Sequence, residues 1–188
     1  VGGGAPGDGT VVLRSLLEHK AKGAVVAIAD PEAVEVAIQA GVGNAICLDI
    51  GGKTDSLHGA PVAVEGRVRT ISDGVFRYKG PYMTGDQINM GRSVVLDCSG
   101  VLVLLSELKT MPFDQEQLRC MGIDPVAQKI IVVKSAIAWR AAYEHIAKAV
   151  IELDTPGLCT ADLSRFEYKR VRRPVFPIDP ECIWEQTN

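Results

Sequence analysis

This sequence has no excess of positive charge, no long apolar run, no closely spaced cysteine pair and no histidine pair, and each lack removes a class of function. Its 188 residues carry 20 Lys or Arg against 23 Asp or Glu, with the signs interspersed. The basic face that DNA or RNA binding requires is missing. Its one local exception, Lys169, Arg170, Arg172 and Arg173, reads as a solvated helix end. Apolar runs such as residues 101–105 and 130–133 fall far short of the roughly 20 residues that span a bilayer. Five cysteines, Cys47, Cys98, Cys120, Cys159 and Cys182, are an odd number without a C-x-x-C, and no histidine stands at ligand spacing to them. They point to reduced thiols and a cytoplasmic setting, with Cys47, inside an apolar strand pattern, a buried small hydrophobe. No signal peptide opens the chain, and Val1 is no natural start, so a segment of something longer is expected. No internal repeat or low-complexity linker divides residues 1–188, which read as a single domain. With 47% hydrophobic residues it has enough apolar side chain for a real core.

What is present is glycine, concentrated at the beginning. The stretch Gly2-Gly3-Gly4-Ala5-Pro6-Gly7-Asp8-Gly9-Thr10 holds almost no side chain, so its backbone can turn through positive φ and gather N–H groups on one point. It runs into a helical pattern over residues 11–22, with Val12, Leu13, Leu16 and Leu17 on one face, Asp8 or Thr10 as N-cap and Gly23 as the stop. A glycine loop that ends at a helix N-terminus is an anion cradle. A functional site is placed here.

Residues 24–29 then form a continuous apolar strand. Asp30-Pro31 opens a second helix as N-cap and first helical residue, with Glu32 and Glu35 in its first turn and Gly41 at its end. Residues 44–50 form the next apolar strand, giving a parallel βαβ unit with both strands buried on two faces. From Pro61 the period changes to two, with Val62, Val64 and Val68 alternating with Glu65, Arg67 and Arg69. Asp73-Gly74 predicts a hairpin turn before a strand at 75–79, and residues 97–100 a second hairpin between strands at 94–96 and 101–105. Asp114 to Gln117 resembles a capping box opening a helix that ends at Gly122. A strand at 129–134, a helix carrying Trp139, Ala142, Tyr143 and Ile146 on one stripe, and a strand at 149–153 make a second βαβ unit. Pro174, Pro177 and Pro180 predict an extended tail strapped over the body. The expected fold is α/β, a mixed sheet with two parallel βαβ units, inserted antiparallel hairpins and helices on the faces.

Ligands in open α/β sheets bind beyond the carboxyl ends of the strands. The residues that follow the apolar strands are Asp30, then Gly51-Gly52-Lys53-Thr54-Asp55 with His58, then Lys134-Ser135, then Asp154. Turn chemistry accounts for half of this polarity. What exceeds it is Gly-Gly followed by Lys-x-Asp-x-x-His, and a lysine closing a buried strand. Gly52-Lys53-Thr54 is no P-loop, since Cys47 stands where that motif needs its first glycine. Gly2-x-Gly4-x-x-Gly7 with Asp30 beyond the next strand matches the spacing of a dinucleotide fingerprint, but no strand precedes the glycines and Pro6 sits inside the motif. Nucleotide binding stays an alternative. Among His19, His58 and His145, only His58 lies in a loop near an acid, Asp55, and no complete zinc site is expected in the chain. Ser135 reads either as a nucleophile beside Lys134 or as an N-cap.

The glycine run 2–10, Gly51-Gly52-Lys53 with Asp55 and His58-Gly59, Asp73-Gly74, Gly80-Pro81, Met90-Gly91, Gly122 to Pro125, Val133-Lys134-Ser135 and Arg172-Arg173-Pro174, taken in order, resemble the C-terminal domain of the microcystinase C (MlrC) family across essentially the whole chain. The resemblance implies a zinc-dependent peptidase or amidohydrolase, in a family named for a member that opens the linearised form of a cyclic peptide toxin. It places the zinc ligands in an N-terminal domain outside this chain. That domain and a peptide or amide substrate are then the expected partners, with a homo-oligomer allowed and neither nucleic acid nor membrane. On this reading Lys53 and His58 are the candidate catalytic groups. Gly3, Gly4, Asp8, Thr10, Gly52, Asp55, Lys134 and Ser135 are the candidate substrate-binding groups, supplying charge and N–H donors to a substrate carboxylate or a developing oxyanion. The contrasting reading is a non-catalytic assembly domain, in which the glycines only turn tightly and the lysines cap helices.

Overall fold

The computed structural model describes residues 9–157 and 162–182. Helix α1 (Thr10–Glu18) begins after Gly9, whose φ of 69° makes the entry turn without a side-chain cap. Thr10 is thus the first helical residue rather than the cap, and Asp8 lies outside the described residues. The helix also stops earlier than the sequence suggests. Lys20 N bonds Leu17 O and Ala21 N bonds Leu16 O, with Lys20 at φ 52°, which is the closure that usually employs glycine. Strand β1 (Ala24–Ala29) and helix α2 (Pro31–Ala40) form as expected. Asp30 caps α2 by accepting from Ala33 N at 3.1 Å.

The remaining elements are β2 (Ala45–Ile50), β3 (Val62–Ser72), β4 (Val75–Arg77), β5 (Gln87–Asn89), β6 (Ser93–Cys98), β7 (Val101–Ser106), α3 (Glu116–Arg119), β8 (Ile130–Val132) and α4 (Trp139–Tyr143). Six strands make one mixed sheet in the order β2-β3-β6-β7-β1-β8, and β4 pairs with β5 apart from it. The mixed α/β architecture and the β6–β7 hairpin match the sequence reading. The βαβ units do not. β1 pairs in parallel with β7 and β8, whereas β2 is an edge strand paired antiparallel to β3, separated from β1 by three strands and opposite to it in direction. A short apolar run reads alike whether one face or two are covered. In β2 the exposed and part-buried positions alternate up to Ile50, so Cys47 is exposed rather than buried.

Two further turns differ. After Asp73-Gly74 the chain leaves the sheet, and β4 pairs with β5 instead of folding back on β3. Residues 149–153 enter no sheet among the described residues, so the second βαβ unit is absent. The capping acid near α3 does act locally: Asp114 accepts from Glu116 N at 2.8 Å and from Lys79 N at 2.8 Å. Arg170 and Arg172 are exposed as expected, but on no helix. The proline tail bends through turns at 176–178, and Arg173 pairs with Asp179 there.

The sheet separates two apolar cores. One gathers Leu13 of α1, Val34 and Ala37 of α2, Ile50, Val62 and Val64 against β1, β6 and β7; the other packs Phe76, Tyr78, Met90, Phe113, Met121 and Tyr143 on the opposite face. β7 is buried at all six positions, as expected for the middle of such a sandwich. Long β3 joins β2 through Val62–Arg67 and β6 through Arg67–Ser72, with a register shift between Val68 and Thr70. Such an irregularity bends a strand. In a flat sheet β1 and β2 would lie about 19 Å apart, yet Gly51 N, just past β2, donates to Asp30 Oδ2, just past β1, at 2.8 Å. The β2–β3 arm therefore curls across α1 and α2 until its tip meets the end of β1.

Candidate functional site

The tip of that arm, residues 51–61, is where most of the predicted site lies. Gly51 and Gly52 both take positive φ, 62° and 63°, and turn the chain tightly enough that a Cβ on Gly52 would sit 2.4 Å from Pro61 N and 2.5 Å from Ala60 C. Only glycine fits there. The turn delivers Lys53 to the α2 N-terminus, where its ammonium lies 3.0 Å from Asp30 Oδ2 and 3.1 Å from Glu32 Oε2. Burial alone would lower its pKa. The hydrogen bonds and charges of Asp30 and Glu32 outweigh that and hold the ammonium above its ordinary range.

Asp30 is the residue whose part the sequence did not disclose. Its buried carboxylate receives Ala33 N, Gly51 N and Lys53 together, fastening the end of β1, the start of α2 and the exit of β2. The legible signal was that Asp30 and Lys53 each follow a strand end. With both oxygens so engaged, Asp30 is poorly placed to bind a ribose, which weakens the dinucleotide reading. Gly2, Gly4 and Gly7 lie outside the described residues.

Farther along the loop, His58 is 3% exposed, and its Nδ1 lies 2.6 Å from Asp55 Oδ1. Asp55 also accepts from Leu57 N at 2.7 Å. That backbone bond first, and the His58 hydrogen bond second, hold the Asp55 carboxyl below its ordinary value. A carboxylate on Nδ1 fixes the ring and directs Nε2 to the opposite side. The next residue, Gly59 (φ 95°), passes over α1 so closely that a Cβ would lie 3.0 Å from Thr10 Oγ1. Thr10 is 1% exposed, and its hydroxyl has no hydrogen-bond partner. Arg14, one turn later, donates to Pro61 O at 3.3 Å. The α1 N-terminus, the Asp55–His58 pair and the Lys53–Asp30 pair thus lie around one loop.

Lys134 and Ser135 follow β8. Carrying its parallel register forward from Val26↔Val132 sets Lys134 level with Ile28 and Ser135 level with Ala29, at the sheet end where Asp30 stands. Ser135 is not the N-cap of α4, a position held by Ala138; its buried hydroxyl, like that of Thr10, has no partner. Gly3, Gly4 and Asp8 lie outside the described residues. No group of three or more His, Cys, Asp or Glu that could hold a metal ion occurs among the described residues, so these side chains do not fit a zinc centre. No helix is long and apolar enough to cross a membrane among them.

The chain is 27% identical over 180 residues to microcystinase C of Sphingomonas sp., covering 95% of this chain and 34% of that protein. In fold it is similar to a crystal structure from Mesorhizobium sp. BNC1, whose description as a metallopeptidase is itself provisional; the TM-score is 0.83 and the identity 29%, over 96% of this chain and 36% of the other. The chain spans about a third of the length of both relatives. Residues 1–170 match the family described as the MlrC C-terminus, and the chain belongs to that family.

Proposed function

We propose that this chain forms one wall of a zinc-dependent, metallopeptidase-like site that hydrolyses peptide or amide bonds, in a longer cytoplasmic polypeptide whose amino-terminal portion supplies the other wall and the metal ligands. The names of its relatives, a microcystinase and a metallopeptidase, support the reaction class, and the missing two-thirds of their length leaves room for the ligands. Zinc, when bound there, would supply Lewis-acid chemistry to the scissile carbonyl. The observation that carries the reading within this chain is His58, buried and fixed through Nδ1 by Asp55, in a loop whose next residue, Gly59, crosses close to the unpartnered Thr10 hydroxyl at the start of α1.

With Nδ1–H given to Asp55 the neutral ring presents Nε2 as an acceptor; once protonated there, it donates to an oxygen that gains charge as an amide is cleaved, with little reorganisation at that moment. Thr10 and the α1 N-terminus offer donors of the same polarity; a substrate-binding role for Gly3, Gly4 and Asp8 is proposed on their place in the sequence alone. Lys134 and Ser135 extend the rim toward a substrate carboxylate. Lys53 keeps the Gly51-Gly52 turn in place through Asp30 and presents its remaining field to the same rim. The double ion pair of Lys53 is also the observation that favours the contrasting reading, a structural domain in which this lysine only ties strand ends.

Kinetics of the full-length polypeptide against a panel of small peptides and amides separate the two. Hydrolysis that a chelator abolishes and that Lys53→Ala or His58→Ala impairs supports the proposal. Unchanged kinetics in both variants leave the domain structural. Saturable binding of NAD(P) or ATP by the full-length polypeptide would support the nucleotide reading instead.

A further inference from the structure

We infer that residues 149–153 are an unpaired β-strand that the amino-terminal portion of the same polypeptide covers by strand addition. The stretch Ala149-Val150-Ile151-Glu152-Leu153 has the branched, apolar composition of a strand, and from 149 to 155 the chain runs without helix, turn or bend. Among the described residues it nevertheless pairs with no strand. Its apolar side chains face outward: Val150 is 49% exposed, Ile151 80% and Leu153 62%.

The acidic side chains of the same stretch are engaged. Asp154 lies 2.5 Å from Arg165, and Glu152 lies 3.9 Å from Arg140 on α4. Both acids are themselves exposed, with side chains 85% and 51% open, so the apolar groups at 150, 151 and 153 stand uncovered on the same open segment. Extended backbone with bare N–H and C=O groups and apolar side chains is what a sheet edge accepts as a further strand.

The occupant follows from chain length. Both relatives carry about two-thirds of their length outside the region matched here, and a covalently joined partner acts at an effective concentration in the millimolar range. It therefore outcompetes a second copy at ordinary protein concentrations. The inference rests on the proposed function only for the existence of that amino-terminal portion, and its readout involves no hydrolysis.

Amide hydrogen exchange in the full-length polypeptide tests it. Exchange across 149–153 should be slowed about a hundredfold or more relative to an unstructured peptide, at every protein concentration. In full-length Ile151→Lys that protection should be lost while β7 keeps its own, which separates undocking from global unfolding. Unprotected exchange in the parent, protection that disappears on dilution and so reports a second copy, protection unaltered in Ile151→Lys, or a natural polypeptide without an amino-terminal portion would each overturn it.

Discussion

Lys53 Nζ lies 3.0 Å from Asp30 Oδ2, although the strands that these residues follow are separated by three others in the sheet order. The pair closes the curl of the β2–β3 arm, and its carboxylate is buried while the lysine is part exposed. Removing the acid leaves Gly51 N without its acceptor and the lysine with Glu32 alone. Asp30→Ala is expected to cost about 3 kcal/mol, read as a lower urea midpoint at unchanged m-value. Because the Lys53 pKa is raised above 10.5, its contribution is fully present below pH 10.5 and is lost as pH rises through the raised value. Urea midpoints followed from neutral pH upward should fall more steeply above that point in the parent than in Lys53→Met.

Asp55 predicts the opposite limb. Its carboxyl is held below 3.8 by Leu57 N–H and by His58, so its contribution is present above pH 3.8 and disappears as pH falls through the depressed value. Melting temperatures of the parent and of Asp55→Asn should converge toward the acid end. A gap that is constant across the acid range would mean that the carboxylate charge is not what holds the loop.

Gly52→Ala should be among the most disruptive small substitutions in the chain. The added methyl would meet two backbone atoms of residues 60 and 61 at 2.4–2.5 Å, and backbone cannot swing aside as a flexible side chain does. Strain and displacement together are expected to cost roughly 2–4 kcal/mol. The circular-dichroism melt of the variant, compared with that of Thr54→Ala next to it, gives the measurement.

Lys20→Gly should act in the other direction. Lys20 holds φ 52° where α1 closes, a conformation that costs an L-residue roughly 1 kcal/mol and glycine almost nothing. The variant is expected to gain about 0.5–1 kcal/mol in urea unfolding, since its side chain is exposed and little packing is lost.

How much of this was legible in the sequence depended on whether a signal was local. The Asp30-Pro31 cap, the Gly41 stop, the two-residue alternation of β3 and the β6–β7 turn each rest on a few adjacent residues, and each formed as read. Strand adjacency is a property of the whole sheet. Nothing within residues 45–50 says that β7 rather than β2 lies beside β1, and an edge strand with one face open looks as apolar as a central one. Lys20 closing α1 hid the end of that helix, because the residue type gives no hint of positive φ. Lys53 and His58 could be picked as unusual strand-exit residues. Asp55, three residues from His58, was legible with it; Asp30 became visible as the partner of Lys53 only when the arm curled, since the ties Asp30–Lys53 and Thr10–Gly59 join distant parts of the chain.

The account turns on His58 as a group that faces the substrate, and its kcat/KM in the full-length polypeptide measures that most directly. With a peptide or amide substrate that the parent cleaves, His58→Gln should lower kcat/KM by about a hundredfold or more when assayed at a temperature where both proteins are fully folded. Equal kcat/KM in parent and variant at that temperature would contradict the account.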